Sequence, residues 1–131
     1  MKGWAALCLL LGLGCVAAAC ATTSPLANDW KDYASIAGVW EEDWPGQATK
    51  DRYRIDVQGD ALTVTPLTNP DGKQRVHGVI FHYKQLMFYL EMEDGTVFYD
   101  MVLVSKDLLT GRARGGRRHF DEPIQWNRVN N

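Results

Sequence analysis

Histidines are the side chains of this chain whose type most readily suggests a metal centre. His77 and His82 are five residues apart in one predicted strand, and His119 lies in a predicted loop. Successive strand residues point to opposite faces, so an odd spacing separates the two strand histidines unless a bulge at Gly78 intervenes. The sequence therefore predicts three unrelated histidines and no metal site.

Carboxylates and serines are the other groups that could perform catalysis. Glu91 and Glu93 share a predicted strand face, with Asp100 across a hairpin, and paired carboxylates can transfer protons. The apolar and polar residues around them alternate, which is typical of a solvated outer face. The sequence contains no Gly-x-Ser-x-Gly motif and no phosphate-binding glycine loop. We therefore expect a non-enzymatic protein without a cofactor.

A basic cluster near the C-terminal end is a candidate interaction surface. Arg112 and Arg114 share one face of a predicted strand, and Arg117 and Arg118 follow in the next hairpin. Arginine pairs well with phosphate and carboxylate groups. The cluster could therefore bind anionic lipid headgroups, glycan carboxylates or an acidic protein. The alternative is a solvated edge that neighbouring acidic residues balance.

The N-terminal segment has the organisation of a secretory signal. Lys2 precedes an apolar run over residues 4–16, which is shorter than the roughly 20 residues that a membrane-spanning helix needs. Small residues then lead to Cys20, and a polar stretch follows. This arrangement predicts a signal peptide over residues 1–19. An ordinary secretory signal cut near this point, which would release a soluble protein, is the alternative.

The sequence Val-Ala-Ala-Ala-Cys at 16–20 resembles the lipobox of bacterial lipoproteins. The resemblance implies cleavage before Cys20, a thioether-linked diacylglycerol and usually an N-acyl chain on that residue. Three acyl chains hold a protein stably, whereas one chain binds only marginally. Ala21, where an aspartate would favour inner-membrane retention, implies an outer-membrane location facing the periplasm. Cys15 is the rival attachment site.

Length and composition indicate one domain after this signal. Residues 20–27 are expected to form a lipidated tether, and residues 28–131 have the length of a single domain. All three cysteines lie at or before Cys20, so the domain has no thiol for a disulfide or a zinc site. The formal net charge of −2 shows no basic bias of the kind that nucleic-acid binding requires.

The apolar periodicity predicts an all-β domain that follows one short helix over residues 28–36. The predicted strands cover residues 38–44, 52–58, 61–67, 75–83, 86–93, 96–104, 108–114 and 123–129. Turn signals include the segment 69–72 and Asp94-Gly95, which suits a type I′ hairpin. The connections leave no room for the crossovers that parallel strands require. We expect an antiparallel meander that closes into a small barrel, with a β-sandwich as the alternative.

Two segments at opposite ends of this domain resemble the calycins, the group of lipocalins and their small barrel relatives. Gly38-Val39-Trp40 begins the first strand after a short helix, and Arg128 lies in the last strand. In lipocalins an arginine of the last strand covers this tryptophan and closes the barrel floor. The resemblance implies that role for Arg128 against Trp40, with Arg112 or Arg114 as fallbacks. The chain lacks the long helix and the disulfide of true lipocalins.

The predicted interior is rich in large apolar side chains. It comprises Trp40, Trp44, Tyr53, Ile55, Val57, Leu62, Val64, Leu86, Phe88, Leu90, Tyr99, Met101 and Leu103. Trp44, Tyr53, Phe88 and Tyr99 are the candidate ligand contacts. A cavity of roughly 300 Å³ or more would favour ligand binding, and a filled interior would favour recognition by the outer surface.

The sequence thus predicts a membrane-anchored, non-enzymatic envelope protein whose barrel binds a small apolar ligand or an envelope component. A structural module that acts through its surface, or an inhibitor of a hydrolase, is the alternative.

Overall fold

Eight antiparallel strands form one sheet that curls into a nearly closed barrel. A computed structural model describes residues 33–68 and 73–130 of the chain. The strands are β1 (Gly38–Asp43), β2 (Arg52–Gln58), β3 (Ala61–Pro66), β4 (Arg75–His82), β5 (Gln85–Met92), β6 (Gly95–Ser105), β7 (Leu108–Gly115) and β8 (Phe120–Arg128). Their order is β3-β2-β1-β8-β7-β6-β5-β4, and β1 pairs with β8. The predicted antiparallel meander is confirmed, with a seam between β3 and β4.

The alternation of side chains decides which residues fill the barrel. In β6, for example, Val97, Tyr99, Met101 and Leu103 are buried, and the residues between them are more exposed. Burying such a side chain contributes about 1.5 to 3 kcal/mol. Of the predicted interior residues, only Trp44, Val57 and Leu62 are partly buried. The core also contains Ile36, Phe81, Val97, Leu109, Ala113, Ile124 and Trp126.

The two ends of the barrel differ. One end holds the start of β1, the end of β8 and the β2–β3, β4–β5 and β6–β7 hairpins. The other end, here called the mouth, holds the β1–β2 loop and the β5–β6 and β7–β8 hairpins. No helix among residues 33–68 and 73–130 has the length and apolar character needed to cross a membrane.

Arg128 closes the end opposite the mouth. Its guanidinium carbon lies 4.3 Å from the centre of the Trp40 ring, which is the contact that the sequence predicted. The guanidinium also donates hydrogen bonds to the carbonyl oxygens of Ser35, Ala37 and Lys106. A Cβ atom at position 38 would lie 2.6 Å from Nη1 of Arg128, so Gly38 leaves the space in which the guanidinium lies.

Only part of the predicted helix falls within the described residues. Residues 33–36 are helical, and residues 28–32 lie outside the described part. The indole N–H of Trp40 donates a hydrogen bond of 2.9 Å to the carbonyl of Ile36, which is fully buried. This short helical turn therefore completes the floor of the barrel.

The hairpin turns differ from the prediction. The β5–β6 turn has Glu93 and Asp94 at its centre, one residue earlier than expected, and Gly95 pairs with Met92. Gly95 has φ of 132°, and a Cβ atom there would lie 3.1 Å from the Arg117 nitrogen. Close packing against the β7–β8 hairpin thus explains this glycine. The predicted turn at 69–72 lies outside the described residues.

Candidate functional site

A buried carboxylate lies inside the barrel, near the mouth. Glu42 is 3% exposed and is the only buried charged side chain among residues 33–68 and 73–130. In β1 the inward positions alternate with outward ones, so Trp40 and Glu42 point inward while Glu41 points outward. Glu42 pairs with Trp126 of β8 across the sheet.

Two tyrosines and a tryptophan surround this carboxylate. The hydroxyl of Tyr99 donates to Glu42, at 3.2 Å from Oε1 and 3.4 Å from Oε2. The hydroxyl of Tyr53 lies 3.4 Å from that of Tyr99. No group among the described residues accepts a hydrogen bond from the buried indole N–H of Trp126. This N–H nevertheless lies close enough to Glu42 to favour the charged form of the carboxylate. Glu42 is therefore only partly compensated.

Burial controls the protonation of this group. Desolvation is the largest cause that raises the pKa of Glu42 from 4.5 to about 7, and repulsion by Asp51 adds to it. Hydrogen bonds from Tyr53 and Tyr99 oppose this shift of the pKa. Desolvation also raises the pKa of both tyrosines, so each hydroxyl remains a neutral donor. Glu42 thus changes charge near neutral pH.

A cavity of about 220 Å³ connects Glu42 to the mouth. Its walls are mainly aromatic and aliphatic, and its polar groups are two carboxylates, two amides and the tyrosine hydroxyls. It is lined by Glu42, Trp44, Gln47, Asp51, Tyr53, Gln74, Leu90, Met92, Val97, Tyr99 and Phe120. No lysine, arginine or histidine of the described residues lines it. We call this space the inner cavity.

A second, outer basin of about 450 Å³ adjoins the inner cavity. The two spaces share Trp44, Gln47, Met92 and Phe120 as walls. The rings of Trp44 and Phe120 meet edge to face, with centroids 5.4 Å apart. Arg117, Arg118 and Asp94 line only the outer basin. A ligand entering from solvent therefore meets the arginines first and the carboxylate last.

Below the inner cavity the barrel is filled by aromatic side chains. Tyr53 stacks on Trp126 with ring centroids 4.4 Å apart, and Phe88 stacks on Tyr99 at 4.6 Å. The remaining space is smaller than the roughly 300 Å³ typical of binding pockets, and its deepest polar group is a carboxylate. A large, wholly apolar ligand does not suit this interior.

Three of the four predicted ligand contacts meet at the inner cavity. Trp44, Tyr53 and Tyr99 line it, whereas Phe88 is fully buried beneath Tyr99. The sequence analysis missed Glu42. The signal was present, because the period of two that directs Trp40 and Trp44 inward also directs the residue midway between them inward.

The predicted arginine cluster divides into two parts. Arg112 bonds Asp121 at 2.7 Å on the outer face of the sheet, and Arg114 lies 3.4 Å from Asp100. Arg117 and Arg118 are exposed at the mouth and form no ion pair within the described part of the chain. Only the second pair therefore has unsatisfied charge beside a cavity.

The histidines lie on the surface. A bulge shifts the β4–β5 register between His77 and Ile80, which is the exception that the sequence allowed at Gly78, and His77 and His82 are both exposed. His77 stacks on Tyr89 at 5.4 Å. Within residues 33–68 and 73–130, no group of three histidine, cysteine or acidic residues could hold a metal ion. Glu91 and Glu93 are exposed.

A larger groove of about 530 Å³ lies outside the barrel, beside β1, β7 and β8. Thr110, Gly111 and Gln125 are among the residues that line it. A Cβ atom at Gly111 would lie 2.0 Å from the Asp100 carbonyl oxygen, so the close approach of β6 and β7 explains this glycine. The inner cavity, with its buried carboxylate, is therefore the stronger candidate site.

The predicted attachment residue Cys20 lies outside the described residues. No protein-family model, no curated protein and no solved structure matches this chain, so the geometry of the barrel carries the functional argument.

Proposed function

We propose that this chain is a non-enzymatic, lipid-anchored protein of the bacterial cell envelope whose barrel binds a small molecule through its mouth. The observation that supports binding is Glu42, a carboxylate that is 3% exposed at the base of an open cavity. Burying a charged group costs free energy unless a partner compensates it. A ligand that pairs with Glu42 would supply this compensation.

The size of the cavity limits the ligand. A protein cavity of about 150 Å³ is large enough for benzene, and the inner cavity measures about 220 Å³. A ligand of one ring and a short polar group fits this space, and anything larger extends into the outer basin. We therefore propose a small amphiphilic ligand in place of the wholly apolar one that the sequence suggested.

The anchor is supported by the lipobox-like segment that ends at Cys20. Tyr33, the first described residue, packs against Phe81 near the β4–β5 hairpin, at the end opposite the mouth. A tether that joins Cys20 to Tyr33 would therefore meet the barrel at its closed end. In this arrangement the mouth faces away from the outer membrane and toward the periplasm.

Native mass spectrometry of the full-length protein, gently extracted from its own membrane, tests both parts of the proposal. We expect a mass that corresponds to cleavage before Cys20 plus acyl chains, and a further mass that is lost on denaturation. A mass without acyl groups would contradict the anchor.

Two variants test whether the bound molecule lies in the inner cavity. Val97→Phe fills the inner cavity, and Val102→Phe makes the same change on the outer face of the same strand. We expect Val97→Phe to lose the additional mass and Val102→Phe to retain it. Retention by both variants would show that the molecule binds elsewhere.

A second candidate function is recognition of an acidic envelope component by Arg117 and Arg118. The observation in its favour is that neither arginine has an ion-pair partner among the described residues. If the extracted protein carries no small molecule but co-purifies with an acidic partner, and Arg117→Ala with Arg118→Ala abolishes that association, this second function replaces the first.

A further inference from the structure

The charged side chains that the structure describes in the walls of the inner cavity are acidic. Glu42 at its base and Asp51 at its opening are acidic, and no basic side chain of residues 33–68 and 73–130 lines the space between them. The other titratable groups that face Glu42 are the hydroxyls of Tyr53 and Tyr99, which remain neutral. The potential inside the cavity is therefore negative whenever Glu42 is ionised.

Aromatic rings form much of the remaining wall. Trp44 and Phe120 contact each other edge to face, and Tyr53 and Tyr99 lie within 6.3 Å of each other, centroid to centroid. The faces of aromatic rings attract organic cations, and the attraction is greater where water is excluded. Carboxylate and aromatic groups thus favour the same kind of ligand.

Glu42 also has no positively charged partner in the part of the chain that the structure describes. The ion pairs of the described residues are formed by other carboxylates on the outer surface, such as Glu41 with Arg52 at 2.9 Å. Glu42 instead accepts hydrogen bonds from a neutral hydroxyl. Because a buried charge is costly unless a partner compensates it, a positively charged group in the inner cavity, which Glu42 lines, would stabilise the ionised carboxylate.

We propose that the inner cavity binds the ammonium group of a small organic amine, with Glu42 as its counter-ion and the aromatic walls around its apolar body. The inference rests on the proposed function and names the chemical class of the ligand. Arg117 and Arg118 lie beyond Trp44 and Phe120 in the outer basin, where they suit an anionic group at the other end of the same molecule.

Isothermal titration calorimetry on the full-length protein tests this inference with two probes of nearly equal size, phenethylammonium and the neutral 2-phenylethanol. The ammonium probe requires ionised Glu42. Its affinity should therefore be about 30-fold higher at about pH 8 than at about pH 5.5, because the competent fraction of the protein changes by that factor. The affinity for the alcohol should not rise with pH.

Glu42→Gln removes the charge and preserves the shape of the side chain. We expect this variant to bind phenethylammonium at least about tenfold more weakly, to lose the pH dependence and to retain any affinity for the alcohol. Glu41→Gln is the matched control, because Glu41 lies on the outer face in contact with Arg52 and Lys50. Thermal unfolding confirms that each variant is folded.

The outcomes separate the two proposals. Equal binding of both probes, unaffected by pH and by Glu42→Gln, would contradict the ammonium inference and leave small-molecule binding intact. Binding of neither probe would also contradict the inference. The proposed function is tested separately, by whether the extracted protein carries an additional bound mass and whether Val97→Phe loses that mass.

Discussion

At the residue scale, Glu42 makes the stability of the barrel depend on pH. Its pKa is raised from 4.5 to about 7 in the fold, so the folded chain binds more protons than the unfolded chain between these values. The resulting stabilisation is fully present below about pH 4.5 and is lost as the pH rises through about 7. At about 1.4 kcal/mol per pKa unit, the loss is about 3 kcal/mol.

Urea denaturation at about pH 5 and about pH 8 measures this loss. Glu42→Gln should remove most of it, so the variant should be more stable than the parent at the higher pH. Glu41→Gln, on the outer face, should preserve the parental pH dependence. A parental pH dependence in Glu42→Gln would show that another group is responsible.

Arg128 gives a second prediction at this scale. Its planar guanidinium lies over Trp40 and donates to three carbonyl oxygens of the barrel floor. Lysine keeps the positive charge but has neither the planar stacking surface nor the fixed fork of donors. Arg128→Lys should therefore lower the free energy of unfolding by about 2 kcal/mol.

The matched change Arg112→Lys affects an exposed arginine whose partner is Asp121. Exposed ion pairs contribute little, so this control should change stability by about 0.5 kcal/mol or less. Chemical denaturation of both variants makes the comparison. Equal effects at the two positions would mean that the floor does not depend on the guanidinium.

At the element scale, the β4–β5 hairpin has an unusual turn. Tyr83 and Lys84 both have positive φ, at 48° and 65°, as a type I′ turn requires. Residues other than glycine and asparagine adopt this conformation at a cost of roughly 1 to 2 kcal/mol each. Lys84→Gly should therefore raise the free energy of unfolding by about 1 kcal/mol.

The β6–β7 hairpin provides the control. Lys106 lies in that turn without a positive φ, so Lys106→Gly only increases the freedom of the unfolded chain and should destabilise by about 0.5 to 1 kcal/mol. Opposite signs for the same substitution, measured by thermal unfolding, would confirm the effect of the turn geometry. A loss of stability in both variants would contradict it.

The strands were predictable because their interior residues repeat with a period of two, which is clearest in β6 and is interrupted in β4 by the bulge between His77 and Ile80. The turns were less predictable. Asp94-Gly95 has the composition of a type I′ turn, yet cross-strand register places Glu93 and Asp94 at the centre. Register depends on pairing with β7 as well as on the local sequence. The bulge after His77 lies at Gly78, where the sequence allowed a bulge without requiring one.

The candidate site was predictable in outline only. Trp44, Tyr53 and Tyr99 follow from the interior pattern. Glu42 lies at an inward position of β1. In the sequence, however, it stands between Glu41 and Asp43, and a run of three acidic residues is typical of the polar end of a strand. That its carboxylate is enclosed depends on Tyr53, Tyr99 and Trp126, which come from three other strands. Contacts between residues so far apart in sequence leave no local signal.

At the scale of the whole molecule, the proposed anchor and the described fold together imply an orientation. The closed end carries the exposed side chains of Tyr83 and Val104, with Lys84 and Lys106 in the adjacent turns. Aromatic and basic residues of this kind favour the headgroup region of a membrane. The mouth lies at the far end of strands that are about 25 Å long, at about 3.3 Å per residue.

Single labels test this orientation, because the chain has no cysteine after Cys20. A fluorophore at Lys106→Cys should be quenched by a lipid-borne quencher in proteoliposomes, and one at Arg118→Cys should be quenched much less. The physical reason is distance, since quenching requires close approach to the bilayer and the two positions lie at opposite ends of the barrel. Stronger quenching at position 118 would reverse the orientation. The control is a chain that begins at residue 20 and carries Cys20→Ala, so that it has neither the apolar signal nor Cys8 and Cys15. Loss of quenching at position 106 in this chain would show that the lipid on Cys20 holds the closed end at the membrane. Persistent quenching would show that the barrel surface binds the membrane by itself.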